Sequence, residues 1–96
     1  MTEHQIQVKV SDADLKAHYA NAMQVHATPE EFALDFFAVF PPAGALVSRV
    51  VMSPGHLKRA IAAMTESLNQ HEQRFGAIKA AEEPKGKIGF HTGVDS

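Results

Sequence analysis

Residues 32–40, F-A-L-D-F-F-A-V-F, constrain the fold more than any other stretch of the chain. Phe32, Leu34, Phe36, Ala38 and Phe40 alternate with Ala33, Asp35, Phe37 and Val39, which is the two-residue period of a β-strand. Both alternating sets are apolar except at Asp35, and four of the six phenylalanines fall here. A strand that is apolar on both sides needs cover on both sides, so it belongs in the middle of a sheet. Pro41-Pro42-Ala43-Gly44 ends it, because proline offers no ladder donor and glycine opens a turn. Residues 45–52, A-L-V-S-R-V-V-M, form the returning strand. A hairpin with Val39 opposite Ala45 sets Asp35 opposite Arg49, a cross-strand ion pair on an otherwise apolar face. We read that pair as structural rather than catalytic.

The flanking segments complete an α+β pattern. Ile6, Val8 and Val10 alternate with polar residues, so 5–10 is expected to be a short strand, followed by a turn at Ser11-Asp12-Ala13-Asp14. Residues 19–28, Y-A-N-A-M-Q-V-H-A-T, hold enough alanine for a helix, but their odd-position pattern favours a strand. Thr28-Pro29-Glu30-Glu31 then reads as a tight turn with Pro29 at its first central position; a helix cap is the alternative. From Ser53 the period changes. Leu57, Ile61, Met64, Leu68, His71 and Phe75 recur at spacings of 4, 3, 4, 3 and 4, one face of a helix over about 54–75. Ser53 suits the N-cap, Pro54 the first helical position and Gly76 the C-cap, with Arg74 in the last turn. The expected architecture is a small antiparallel meander of three or four strands and one long C-terminal helix. The helix is expected to cover one sheet face, or to pack on a partner's helix; both hold in a dimer. Residues 1–78 form the single domain, and 79–96, rich in glycine and poor in apolar residues, read as a flexible tail.

Little in the chain supports an enzyme. With no cysteine, it has neither disulfides nor a thiolate nucleophile. Its six histidines form no H-x-x-x-H or H-E-x-x-H motif, so no metal or other cofactor is expected. Ser48 and Ser53 lack a G-x-S-x-G elbow, Glu30 and Glu31 read as a solvated pair, and Gly86, Gly89 and Gly93 do not sit between a strand and a helix as a phosphate loop does. Residues 1–10 have no signal-peptide pattern, and no apolar run approaches the ~18 residues of a membrane span, so a cytoplasmic setting is expected.

The functional expectation comes instead from surplus apolar surface. Two sheet faces are apolar and one helix is available to cover them. Met23, Val25, Phe37, Val39, Val47 and Val51 are expected to line the uncovered face, and Met64, Leu68, His71 and Phe75 a helix seam. Such a surface points to a homo-oligomer, dimer or tetramer, that binds another protein or an unfolded polypeptide. The competing reading is nucleic-acid binding, with sheet phenylalanines stacking bases and Arg49, Ser53, Lys58 and Arg59 contacting phosphate. A net charge of −2, from 9 basic and 11 acidic residues, weighs against it.

Four pieces, Y-A-N-A-M-Q-V at 19–25, T-P-E-E-F-A-L-D-F at 28–36, R-V-V-M-S-P-G-H-L-K-R-A-I at 49–61 and H-E-Q-R-F-G-A-I at 71–78, carry a resemblance. In order and spacing they resemble a family of small bacterial and archaeal proteins catalogued as a domain of unknown function (DUF3467-like). That resemblance implies no activity, cofactor or catalytic residue. A weaker similarity, through Y-A-N-A-M-Q-V and Pro29-Glu30 to Leu34-Asp35, is to SecB-type export chaperones. It implies antiparallel sheets backed by helices, assembly, and binding of unfolded clients. The chain is much shorter than those proteins and lacks their second long helix.

Overall fold

A computed structural model describes residues 4–82. Three antiparallel strands, β1 (Ala22–Ala27), β2 (Phe32–Phe40) and β3 (Ala43–Met52), form one sheet in the order β1-β2-β3, and α1 (Pro54–Phe75) follows. The doubly apolar β2 is the central strand, as its two-sided pattern requires. Residues 28–31 make the tight turn of the β1–β2 hairpin. The Thr28 amide donates to the Glu31 carbonyl at 2.9 Å, and the Glu31 amide donates to the Thr28 hydroxyl at 3.2 Å. The helix-cap alternative at this junction is not what forms.

The β2–β3 hairpin turns tightly at Pro41-Pro42, whose mutual peptide bond is cis. Next to the turn Phe40 opposes Ala43 and Val39 opposes Gly44, one residue away from the expected register. An irregularity between Phe36 and Phe37 then shifts the pairing: Phe37 opposes Leu46, whereas Phe36 opposes Ser48. Val47 is the extra residue, a β-bulge, and beyond it Asp35 opposes Arg49 as expected. The other end of the ladder is extended by a side chain. Asn21 accepts from the Val39 amide and donates to the Val39 carbonyl, both at 2.8 Å, so its amide stands in for one more strand residue.

The helix occupies the span its periodicity marks. The Ser53 hydroxyl accepts from the His56 amide at 3.1 Å, Pro54 opens the first turn, and Gly76, at φ 99°, ends it with its amide donating to the Glu72 carbonyl. A Cβ added at Gly55 would meet nothing within 4 Å, so no contact within the chain demands glycine there.

Two expectations are corrected. Residues 5–10 form no strand; they are exposed and without regular structure, because neither edge of the sheet takes them up as a partner. The following turn at Ser11–Asp14 does form, closed by the Asp14 amide on the Ser11 carbonyl and the Ser11 amide on the Asp14 carboxylate. The second correction concerns α1, which does not lie over a sheet face. None of its residues is buried, and only Leu57, Ala60 and Glu72 are even half-buried. Residues 79–82 are exposed and irregular, and the remainder of the expected tail lies outside the described residues.

The hydrophobic core is accordingly very small. Among the described residues only Leu34 (6% exposed) and Phe37 (4%) are buried apolar side chains, one on each face of β2. With so little else to hold the sheet, each is expected to matter greatly. Phe37→Ala and Leu34→Ala are predicted to lower unfolding free energy by about 3–5 and 2–5 kcal/mol, read by denaturant titration. Exposed Ile6→Ala is expected to change it by less than about 0.5 kcal/mol.

Candidate functional site

Register decides which side chains share a face, because residues directly opposite each other point the same way. On one face lie Ala22, Gln24 and His26 of β1, Ala33, Asp35 and Phe37 of β2, and Leu46, Arg49 and Val51 of β3. On the other lie Met23, Val25 and Ala27, then Phe32, Leu34 and Phe36, then Ser48, Val50 and Met52. The expected surface of Met23, Val25, Phe37, Val39, Val47 and Val51 is therefore divided between two faces. The four-residue turn sets Ala27 opposite Phe32, so Met23 and Val25 share the parity of Phe36 and Leu34, away from Phe37 and Val51. Phe37 is buried, Val39 and the bulged Val47 are half-buried, and Val51 is exposed.

The first face carries the one built polar cluster among the described residues. Asp35 is fully buried, and each neighbouring strand supplies it with a partner. From β3, Arg49 donates through Nε to Oδ1 at 2.6 Å and through Nη2 to Oδ2 at 2.9 Å, a two-pronged charge-assisted contact. From β1, His26 Nε2 stands 3.5 Å from Oδ2. The Arg49 hydrogen bonds, reinforced by its charge and that of His26, hold the Asp35 carboxyl below its usual range despite burial, which acts the other way. The same contact pushes the Arg49 guanidinium up. The Asp35 oxygens are engaged by the strands on either side. What the cluster does physically is tie all three strands together.

The second face is apolar at every position but Ser48, and Met23, Val25 and Val50 on it are each exposed. A third apolar surface is the stripe of α1, where Ile61, Met64, Leu68 and Phe75 all stand half or more exposed. His71 packs against Phe75 with ring centroids 4.8 Å apart, and the Arg74 guanidinium lies 5.4 Å from the Phe75 centroid. The four candidate anion contacts do not converge on an open site. Arg49 is engaged with Asp35, and the Ser53 hydroxyl caps the helix. Lys58 and Arg59 are exposed, the latter 3.1 Å from the His56 ring. No group of three or more potential metal ligands occurs among the described residues. Nor is any helix among them long and apolar enough to cross a membrane.

Two contributors escape a reading of the sequence. Asn21 gives no signal, because an asparagine before a strand looks like any turn residue. His26 is legible in principle, since the turn at 28–31 places it opposite Ala33 and hence diagonal to Asp35.

The cluster makes a pH prediction. The folded state holds Asp35 ionised more strongly than the unfolded chain does, so near and below the ordinary carboxylate pKa the unfolded state binds more protons. Its contribution to stability is present above that pKa and is lost as pH falls through the lowered folded value. Arg49→Met leaves a buried carboxylate without its guanidinium, so burial then acts to raise its pKa. That variant is expected to melt well below the wild type at pH 7 and to regain part of the gap on acidification. The double variant Asp35→Leu/Arg49→Met removes both charges and is expected to recover most of the wild-type melting temperature. Circular dichroism melts from pH 3 to 8 on the three proteins check this.

The comparisons with known proteins bear on the whole arrangement. No curated protein and no solved structure matches the chain. A family model described as "Protein of unknown function (DUF3467)" matches residues 1–80, which takes in the sheet, its polar cluster and the entire helix. The chain belongs to that DUF3467 family.

Proposed function

We propose that this protein is a non-enzymatic protein-interaction module that works as a homo-oligomer, a dimer or a tetramer. The observation that carries the reading is the amount of apolar surface left open. Large apolar side chains stand exposed on the second sheet face (Met23, Val25, Val50) and along the helix (Ile61, Met64, Leu68). Surfaces of that extent belong against another protein. In its sharpest form the proposal is SecB-like holdase activity, with extended apolar segments of unfolded clients lying on the second face, and it takes the cytoplasm as its setting. The nucleic-acid reading draws less support, because Arg49 and Ser53 are engaged within the fold and the chain is net acidic.

Sedimentation velocity across micromolar concentrations is expected to show an assembly of two or four chains, and a strictly monomeric species would sink the proposal. For the holdase form, the expected outcome is suppression of light scattering by a reduced, unfolding model client at stoichiometric ratio. Val25→Lys, at an exposed position on the second face, is expected to abolish that protection while leaving the fold intact. Equal protection by Val25→Lys would remove the second face as the client site.

A further inference from the structure

We infer that the apolar stripe of α1 is the self-association seam, and that two copies pair through it with their helices antiparallel. This rests on the homo-oligomer reading above and specifies which surface does the assembling. The helix is 22 residues, about 33 Å long, and on its stripe of Leu57, Ile61, Met64, Leu68, His71 and Phe75 no residue is buried among the described residues, Leu57 being half-buried and Ile61, Met64, Leu68 and Phe75 half or more exposed.

The occupant follows from the arrangement of the stripe. Its 4-3-4-3-4 spacing reads the same from either end, about a centre at residue 66. An antiparallel second copy therefore sets Leu57 against Phe75, Ile61 against His71 and Met64 against Leu68, so every stripe residue meets a stripe residue. In coiled-coil terms these are the a and d positions, and the flanking e and g positions test the match independently. Antiparallel pairing brings e to e and g to g. Lys58 then faces Glu72 of the other copy, twice by symmetry, while Thr65 faces Thr65 and Ser67 faces Ser67 at the centre. Opposite charges meet at Lys58–Glu72, where the Glu72 carboxylate also accepts from its own chain's Ile78 amide at 2.8 Å, Ala60 faces Arg74, and small residues sit where the two helices cross the two-fold axis. A parallel pairing sets Ala60 against Thr65 and Ser67 against Glu72, with no opposite charges, and aligns the two helix dipoles unfavourably. The sequence pattern therefore selects the antiparallel second copy.

Cross-linking in the full chain tests this directly, because it contains no cysteine of its own. Thr65→Cys lies beside the two-fold axis and is expected to give a covalent dimer in high yield with a short bis-maleimide. Arg74→Cys is expected to give little, because its two copies stand about 24 Å apart along the paired helices. Efficient linking at both positions would mean parallel helices, and no linking at residue 65 in a chain that sediments as an oligomer would place assembly on another surface. Both results overturn the inference while leaving the homo-oligomer reading in place; a wild-type monomer removes both. Charge reversal gives a second readout. Lys58→Glu and Glu72→Lys are each expected to weaken association about tenfold, by turning two attractive pairs into repulsive ones. Lys58→Glu/Glu72→Lys together are expected to restore it. Failure of that rescue, with helicity retained by circular dichroism, overturns the antiparallel register.

Discussion

Asp35 is a carboxylate with no access to water in the middle of the central strand, and the order of the sheet follows from what that costs. A buried charge is tolerated only when partners replace its lost hydration. Arg49 from one neighbour and His26 from the other do so, which fixes both neighbours in register as well as in identity. The bulge at Val47 becomes intelligible on this basis. The tight Pro41-Pro42 turn pairs Phe40 with Ala43, and that register, continued without interruption, would bring Ser48 opposite Asp35 and leave Arg49 on the other face. One extra residue on β3 reconciles the turn with the ion pair, delivering Arg49 to Asp35. Turn geometry and buried charge make incompatible demands, and the bulge is where the strand absorbs the difference.

The polar cluster organises the sheet but contributes little apolar burial, and the chain has few other means of obtaining it. A central strand with apolar residues on both faces would ordinarily lie between two layers. Here α1 leaves the sheet after β3 without covering either face, and β2 keeps one well-buried apolar residue on each side. Folding must offset roughly 1–2 kcal/mol of backbone entropy per ordered residue. Two buried hydrophobes and one ion pair are a small return against that. Contacts between chains are the natural source of the remainder, which makes folding and assembly one coupled equilibrium in the proposed oligomer.

How much of this was legible in the residues depended on whether the deciding interaction was local. β2 and α1 were readable to their end residues, because alternation, Pro-Pro, Ser-Pro and Gly76 are local signals. The ion pair was readable too, although by way of a turn register that was one residue off and that the bulge then compensated. The short alternating run at 5–10 misled, because a period-2 pattern describes a half-buried strand without supplying an edge to pair with. The amphipathic stripe of α1 likewise states that one side wants cover and is silent about whose surface provides it. The division of Met23 and Val25 from Phe37 and Val51 hinged on one number, the length of the turn at 28–31, since a change of one residue there inverts every side chain of β1.

The segment at 49–61 joins these features in one short run of chain. Arg49 closes the buried pair, Val50 and Val51 point to opposite faces, Ser53 and Pro54 start the helix, and Leu57, Lys58 and Ile61 open the seam. This run, which also holds the candidate phosphate contacts Arg49, Ser53, Lys58 and Arg59, is the junction at which the sheet hands over to the helix that leaves it. In the proposed assembly the helices join copies by their stripes, and neither sheet face is consumed in doing so. Self-association and client binding then use different surfaces of one small chain, the helix for the first and the Met23–Val25–Val50 face for the second. That separation is what a holdase of this size requires, because a surface buried between its own copies is closed to any other polypeptide.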